Sequence, residues 1–526
     1  MKNIKNSTII YAVALAFAVS STSCSDFLTQ ESKTALTEEQ VFSKIENVEP
    51  LVQGLYVKYR GCKEGRNGLM VNLGLDESQQ GNFQLISSGS QAGMDKYNGL
   101  LNPTSTQVAA IWGNRWPVVT AAAKAIYALG LTEEEPDKAK QLLGEASFIR
   151  GMLMMELSMY WGEIPIIDMS RTLELGLGRQ PLTEVWKYII NDFKTAADNL
   201  PERWDDPKRA TSGAALAMLG KAYMYAPVET GLRDFALAKT CFEQMMGRYS
   251  LVPNFADLYA YDKPNSVESI FELQFNNIWP DCNYWQFDCG SRAVDSWFSQ
   301  GCYFSGYDFL VPTPFAYHTV AEGGIWEEGD LRKDASLRYD FTYHGVTPDL
   351  SKTQWTGTTD ELDPHIKKFE DPRTDQDNGT IANMWNSGKN FAVIRLADII
   401  LLYAECLNEQ GNTSDAVTLV NDKIRARAWG GVLPANQRWN TGMSKDEFKT
   451  KVMDERFREL CFEGWRRMDL IRTGKFVELV KERNRWARES GTIQDFHVRY
   501  PIPDTEIKSN EDFSGEDQNP GYTQSN

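Results

Sequence analysis

Apolar residues recur at helical spacing along both ends of the chain, and this pattern constrains the fold more than any other feature. Thr37-Glu38-Glu39-Gln40 is a capping-box pattern that opens a helix. The apolar stripes lie three or four residues apart, as on one face of an α-helix: Val41, Ile45, Val48, Val52 and Leu55; Ile149, Leu153, Leu157 and Tyr160; Trp186, Ile190, Phe193 and Leu200; Leu216, Leu219 and Tyr223; Leu396, Ile400, Tyr403 and Leu407. A long helix is also expected over roughly 445–475. The sequence therefore predicts a mainly α-helical fold.

One pair of these helices carries a repeat-like pattern. Leu219-Gly220-Lys221-Ala222-Tyr223 is followed by Ala238-x-x-x-Phe242, which resembles the helix pair of a tetratricopeptide repeat. Small residues let two helices approach closely while Tyr and Phe fill the space between them. We therefore expect a scaffold of stacked helix pairs.

The character of the chain changes between about 251 and 388, where Gly, Pro, Asn, Asp and aromatic residues replace the helical stripes. Aromatic residues make up 12% of the chain but are much denser within residues 271–309: Trp279, Tyr284, Trp285, Phe287, Trp297, Phe298, Tyr303, Phe304, Tyr307 and Phe309. Long irregular segments on a rigid scaffold often carry binding residues. The expected organisation is 24–250 as an N-terminal helical scaffold with an early binding loop, 251–388 as a loop-rich ligand-binding region, and 389–526 as a C-terminal helical region with its tail.

The first 23 residues are typical of an export signal. Lys2 and Lys5 precede an apolar run, residues 9–19, that is too short to span a bilayer. Small residues then lead into Cys24, where a lipoprotein peptidase would cut and leave an acylated first residue. Ser21 stands where such signals usually have Leu, and an ordinary secretory signal cut near Cys24 is the alternative.

The net charge of the chain disfavours negatively charged binding partners. The formal net charge is −17, and removal of Lys2 and Lys5 with the signal would leave about −19. Such a chain is a poor partner for nucleic acid or for anionic membrane surfaces. Attachment to a membrane would therefore depend on lipid at Cys24, and stable attachment would need more than one acyl chain.

Motifs for catalysis and metal binding are missing from the sequence. It contains no Gly-x-Ser-x-Gly elbow, no phosphate-binding loop of the GxxxxGK[ST] form and no His-Glu-x-x-His. The adjacent carboxylates Asp76 and Glu77 are the most tempting acid pair for glycoside hydrolysis, but neighbours in sequence rarely flank a substrate from opposite sides. Cys282, Cys289 and Cys302 are close enough to permit one disulfide and show no zinc-site spacing. We expect no catalytic residues, no metal and no cofactor.

Several segments in fixed order resemble the SusD/RagB family of outer-membrane lipoproteins. The resemblance lies in residues 150–165 (RGMLMMELSMYWGEIP), 210–226 (ATSGAALAMLGKAYMYA), 395–408 (RLADIILLYAECLN), 454–475 (DERFRELCFEGWRRMDLIRTGK) and the tail, with Tyr500-Pro501-Ile502-Pro503 and Gln518-Asn519-Pro520-Gly521-Tyr522. It implies a SusD-like fold of helix pairs plus a loop-rich subdomain, a lipid anchor at the cell surface, and a partner transporter of the TonB-dependent, SusC-like class. The implied function is capture of an oligosaccharide for that transporter, without catalysis.

The resemblance also implies that mid-chain loops and the early loop after the first helices build the ligand site. A sugar ring has an apolar face that stacks on aromatic rings and a rim of hydroxyl groups that polar side chains can bind. The candidate stacking residues are Trp279, Trp285, Trp297, Tyr303 and Tyr307, and the candidate polar partners are Asp76 and Asn82. The alternative for each ring is packing beneath the long loops.

The charged residues of the late helical motif are expected to be structural. Glu455, Arg456 and Glu459, and then Glu463, Arg466 and Asp469, place opposite charges three or four residues apart, as in ordinary pairs on a helix surface. The Pro-Ile-Pro segment is expected to be an extended strap docked on the helices.

Three functions remain open: glycan capture, capture of peptides or other nutrients by the same architecture, and surface glycoside hydrolysis.

Overall fold

The computed structural model describes residues 37–81, 84, 89–167, 169, 176–290, 306–339, 364–371 and 386–522. This part of the chain is mainly α-helical with a few short strands, which confirms the predicted fold class. The sequence region that resembles an export signal, Cys24 included, lies outside the described residues.

The N-terminal half is a series of helices. They are α1 Glu38–Phe42, α2 Ile45–Lys63, α3 Gly65–Leu69, α4 Gly89–Lys96, α5 Thr106–Gly130, α6 Pro136–Trp161, α7 Leu182–Asn199, α8 Ser212–Tyr225 and α9 Phe235–Met246. From α5 to α9 each helix packs against the next, so their apolar stripes meet in one core.

The first predicted helix is interrupted. The capping box is present, since the Thr37 amide donates to Gln40 Oε1 at 3.0 Å and the Gln40 amide donates to Thr37 Oγ1 at 3.3 Å. Helix α1 nevertheless ends at Phe42, and α2 begins at Ile45. Two side chains satisfy carbonyls near the break, because Ser43 donates to the Gln40 carbonyl and Asn47 donates to the Val41 carbonyl. One continuous helix was therefore the wrong prediction here.

The predicted repeat-like pair forms α8 and α9, which pack closely against each other. At Gly220 an added Cβ would come within 2.3 Å of the Phe242 ring, so only glycine permits this approach. The small residue and the aromatic ring thus fit together as the sequence pattern indicated.

The middle of the chain consists of loops with short elements. Its helices are α10 Trp285–Cys289, α11 Pro314–Tyr317 and α12 Arg332–Ser336. The strands of the described residues are β1 Ser78–Gln79, β2 Ser269–Leu273, β3 Val311–Pro312, β4 Leu337–Arg338, β5 His365–Ile366 and β6 Phe391–Arg395. They form three antiparallel pairs, β1 with β3, β2 with β6 and β4 with β5, and each pair ties distant parts of the chain together.

The C-terminal region returns to helices. They are α13 Leu396–Glu409, α14 Thr413–Leu419, α15 Ala426–Ala428, α16 Lys445–Leu460, α17 Arg466–Arg472, α18 Phe476–Arg483, α19 Arg485–Ser490 and α20 Asp504–Ser509. The single helix predicted over roughly 445–475 is wrong, because α16 ends at Leu460 and α17 begins at Arg466. Between them the backbone turns through positive φ at Phe462 (66°) and Gly464 (86°), which no α-helix can accommodate.

The charges around this turn are buried rather than paired on a helix surface, which corrects the prediction for them. Glu459 is fully buried and contacts the guanidinium groups of Arg332, Arg395 and Arg427. Glu463 binds Arg395 Nε at 2.7 Å and Lys368 Nζ at 2.8 Å. Although burial alone would raise the pKa of Glu459, these guanidinium groups hold it well below the usual range. The network is structural, as expected, and it fixes α16 against the mid-chain loops.

The tail docks as an extended strap, as predicted. The Tyr500 amide donates to the Tyr160 carbonyl and the Trp161 indole donates to the Pro501 carbonyl, both at 2.8 Å. Asn519 completes the attachment by donating its amide to the carbonyls of Trp161 and Tyr500. The C-terminal signature therefore closes over the end of α6.

Candidate functional site

Two segments that are distant in sequence meet beside the start of α3. Strand β1 follows α3, and it pairs with β3 of the mid-chain region through Ser78 opposite Pro312 and Gln79 opposite Val311. The Gly81 amide donates to the Asp308 carbonyl at 3.0 Å just beyond this pair. The early loop and the aromatic mid-chain segment therefore lie side by side, as the expected ligand site requires.

A cluster of polar and aromatic side chains lies at this meeting point. We call Arg66, Gln84, Phe287, Asp288 and Tyr307 the junction cluster. The Arg66 guanidinium lies 4.4 Å from the centre of the Tyr307 ring, and its Nε donates to Asp288 Oδ1 at 3.0 Å. The Phe287 and Tyr307 ring centres are 5.7 Å apart, and Gln84 donates its amide to the Tyr307 carbonyl at 2.8 Å.

Access to solvent distinguishes this cluster from the ion pairs of the core. The Arg66 side chain is 41% exposed, and Tyr307 and Phe287 are half-buried. Stacking on the aromatic ring and pairing with Asp288 hold the guanidinium in place while part of its surface faces outwards. The cluster thus offers a ligand fixed hydrogen-bond donors beside two aromatic rings.

Asp288 gives the cluster a group with a shifted pKa. Burial raises the pKa of Asp288 to about 6, although the neighbouring Arg66 guanidinium opposes the rise. The Arg66–Asp288 ion pair is therefore weakened by protonation in mildly acidic conditions.

The predicted polar partner Asp76 does not reach this surface. It is fully buried, and its two carboxylate oxygens bind Arg466 Nε at 2.9 Å and the terminal Arg466 nitrogen at 2.6 Å. Arg483 adds a third contact at 3.2 Å. Although burial alone would raise the pKa of Asp76, these two guanidinium groups lower it. Asp76 is a structural ion-pair residue, and its prediction as a ligand contact is wrong.

Trp285 is likewise a packing residue. It is 5% exposed, its indole donates to the Gly65 carbonyl at 3.0 Å, and its ring meets Phe391 edge-on at 4.5 Å. Because Phe369 and Phe391 contact its ring, Trp285 serves mainly in packing, and a stacking role for it stays a prediction.

Of the other predicted ligand-binding residues, two are at least partly exposed, and the rest lie in segments that the structure does not describe. Trp279 is 70% exposed, and Tyr307 belongs to the junction cluster. Trp297, Tyr303 and Asn82 lie outside the described residues. Cys282 and Cys289 carry free thiols, while Cys302 also lies outside.

Sequence reasoning missed Arg66, Gln84 and Asp288, and it counted Phe287 among the aromatic residues without naming it as a candidate. No motif marks these residues, and they come together through contacts between α3, α10 and the segments beside β1 and β3. In the parts of the chain that the structure describes, no three His, Cys, Asp or Glu side chains are grouped to hold a metal ion.

Comparison with known proteins identifies the family. The model of the SusD family matches residues 268–522, and a second model, described as starch-binding and associating with the outer membrane, matches residues 26–224. The chain belongs to the SusD family. Between them these two SusD-type models span both the helical scaffold and the mid-chain loops.

Individual relatives in the SusD family are distant in sequence. A SusD-like protein of Formosa agariphila is 25% identical over an alignment of 542 positions, gaps included, that covers 96% of this chain and 97% of that protein. The starch-binding protein SusD of Bacteroides thetaiotaomicron is 26% identical over an alignment of 383 positions that covers 65% of this chain and 66% of SusD.

Solved structures of the family have the same fold. A laminarin-binding SusD-like protein superposes with a TM-score of 0.74 at 22% identity, covering 91% of this chain and 100% of that one. Surface glycan-binding protein A from Bacteroides fluxus superposes with a TM-score of 0.73 at 20% identity, with the same coverage.

Proposed function

We propose that this protein is a surface glycan-binding lipoprotein that captures an oligosaccharide and delivers it to a TonB-dependent, SusC-like outer-membrane transporter. Membership of the SusD family supports the proposal, as do relatives whose names describe starch, laminarin or surface-glycan binding.

The observation that carries the proposal is the junction cluster. The ring of Tyr307 can stack on the apolar face of a sugar, while the partly exposed Arg66 guanidinium can donate to its hydroxyl groups. Because Asp288 and Tyr307 already hold Arg66, a sugar would bind without the entropy cost of ordering a free arginine.

Attachment to the membrane belongs to the same proposal. Cys24 would carry the lipid anchor and keep the protein at the outer surface of the outer membrane. Among the described helices, none is both long and apolar enough to cross a membrane. The helical scaffold would face the transporter, which would supply the energy for uptake, so that this protein needs no cofactor.

The proposal also assigns no catalytic step to this protein. The acid pair singled out in the sequence, Asp76 and Glu77, is 0% and 1% exposed. A glycosidic bond has to lie between two accessible carboxyl groups, and neither of these two reaches solvent. Incubation of the purified protein with the glycan it binds should therefore release no shorter products.

Isothermal titration of the purified mature protein against plant, host and microbial glycans tests the binding function. Tyr307→Ala and Arg66→Ala should each weaken binding about tenfold or more, because each removes a central contact. Arg438→Ala is the matched control: its side chain is 45% exposed and pairs with Asp422, but it lies away from the cluster. Binding of peptides and of no glycan would contradict the proposal.

A further inference from the structure

A cavity lies apart from the junction cluster. It has a volume of about 300 Å³ and opens between the turn at 259–266, the end of β2, the start of α10 and the segment 387–392. None of the five junction-cluster residues lines it. Its size is at the lower end of the range of small-ligand pockets.

Amide side chains that are fixed in orientation form one wall of this cavity. Gln274 and Asn265 exchange hydrogen bonds at 2.8 and 3.1 Å, and Asn390 donates to Gln274 Oε1 at 2.7 Å. The Phe275 amide donates to the Asn390 oxygen at 2.9 Å. A carboxamide has two N–H groups and two oxygen lone pairs. In Asn265 and in Asn390, these bonds use one N–H group and one lone pair, so one of each remains. The wall therefore holds preoriented donors and acceptors for a ligand.

Each charged side chain that lines the cavity is held by partners within the protein. Glu272 accepts hydrogen bonds from the Asn265 backbone amide nitrogen at 2.9 Å and the Ser269 hydroxyl at 2.6 Å, and Lys389 donates to the carbonyls of Lys368 and Glu370. Lys368 binds Glu463 at 2.8 Å, and Arg395 binds the same carboxylate at 2.7 Å. At the entrance Lys263 pairs with Asp257 at 2.9 Å. A ligand that carries no charge is therefore favoured, since it leaves these pairs intact.

Exposed aromatic rings stand beside the opening. Tyr261 lines the cavity and is 40% exposed. Trp279 is 70% exposed and Ile278 69%, in a loop that leaves the cavity wall at Phe275 and returns to it at Asn283.

This loop is held in place by the cavity wall. At Gly388, which lines the cavity, an added Cβ would approach the Asn277 amide nitrogen to 2.9 Å, so the loop packs directly on it. Arg60 pairs with Asp281 of the loop and donates to the Gln274 carbonyl at 3.1 Å. The loop that carries Trp279 is thus attached to the cavity wall on both sides of this residue.

From this arrangement we infer that the cavity and its rim form a second carbohydrate site, separate from the junction cluster, for a neutral sugar. The carboxamide wall would bind hydroxyl groups, and Trp279 and Tyr261 would stack on apolar sugar faces. This inference rests on the proposed glycan-binding function and adds to it a second point of contact.

The short helix α10 connects the two sites. Trp285 at its first position lines the cavity, while Asp288 in its last turn binds Arg66 of the junction cluster. Under this inference a single polysaccharide chain would contact both sites, and two linked contacts bind more tightly than either contact alone.

The test uses the whole mature protein and a panel of neutral polysaccharides: laminarin, starch, xylan, galactomannan and arabinogalactan. Affinity electrophoresis identifies the polymers that bind, and calorimetry with the matching trisaccharide counts the sites. The wild type should bind two trisaccharides, and the double variant W279A/Y261A should bind one. The same variant should lose about tenfold in affinity for the polymer.

Controls and contrary outcomes separate this inference from the proposed function. Trp279→Phe should keep most of the affinity because a ring remains, and Val432→Ala, at a residue that is 79% exposed elsewhere, should change nothing. Unchanged polymer affinity and stoichiometry in W279A/Y261A would overturn the second site and leave the proposed function standing. Complete loss of trisaccharide binding in that variant would overturn the separation of the two sites. Wild-type protein that bound no member of the panel would overturn both.

Discussion

Individual residues show most clearly what sequence alone could not decide. Asp76 and Trp285 are of residue types that are typical of a sugar-binding site, and the sequence around both is rich in loops. In the structure, the guanidinium groups of Arg466 and Arg483 bind the Asp76 carboxylate. The rings of Phe369 and Phe391 pack against Trp285. The partners of both residues come from distant parts of the chain, so their burial depends on the tertiary fold and not on local pattern.

Replacement of Asp76 should therefore affect stability and not binding. Asp76→Asn leaves the buried Arg466 without its counter-charge, which should lower the free energy of unfolding by about 3–5 kcal/mol. Urea denaturation measures this loss. Asp422→Asn is the matched control, because it breaks an exposed pair with Arg438 and should cost about 1 kcal/mol or less. A stable Asp76→Asn protein with weakened glycan binding would return Asp76 to the ligand site.

The buried carboxyl group of Glu77 should make the free energy of unfolding depend on pH. Burial, reinforced by the charge of Asp76, raises the pKa of Glu77 to about 8. An unfolded chain loses this proton near a pKa of about 4.3. Between these two values the folded protein keeps a proton that the unfolded chain has released, so this group lowers stability as pH rises through the window.

Glu77→Gln isolates that contribution, because the amide is neutral at every pH. The variant should gain in unfolding free energy over the wild type as pH rises from about 5 to about 8, by up to roughly 1.4 kcal/mol per pH unit. Urea midpoints across this range provide the measurement. A difference between the two proteins that did not change with pH would show that Glu77 ionises normally.

At the scale of elements, the sequence was a good guide to the helices and a poor guide to their interruptions. The apolar stripes of α2, α6, α7, α8 and α13 were all recognisable, since each depends on local spacing. The end of α16 was not recognised. Its charged residues continue a helical pattern past Leu460, while burial of Glu463 against Arg395 and Lys368 favours a turn there.

The strand pairs were beyond sequence reasoning for a different reason. Strands β1 and β3 have two residues each, too few for any alternating pattern, and more than two hundred residues separate them. Their pairing nevertheless brings Gln84 close to Tyr307 of the junction cluster. The region of the proposed ligand site and Tyr307 could thus be expected from the family resemblance, whereas Arg66, Gln84 and Asp288 could not.

At the scale of the whole molecule, the proposed function gives the helical scaffold and the binding loops separate tasks. The proposed anchor residue, Cys24, precedes α1 in the sequence, while the junction cluster lies on α3, on α10 and on the segments beside β1 and β3. Capture of a ligand should therefore not require the membrane.

Replacement of the anchor tests this division. Cys24→Ala should release the protein from outer membranes while glycan affinity stays the same, measured by cell fractionation and by titration of the released protein. Loss of affinity in the soluble variant would show that anchor and site are coupled. Full retention in the membrane fraction would show that something other than lipid on Cys24 holds the protein there.

The most direct test of the central claim is a crystal structure of the mature protein with an oligosaccharide that it binds. That structure should show a sugar ring stacked against Tyr307, with at least one of its hydroxyl groups bonded to the Arg66 guanidinium. A bound oligosaccharide that left the junction cluster untouched would contradict it.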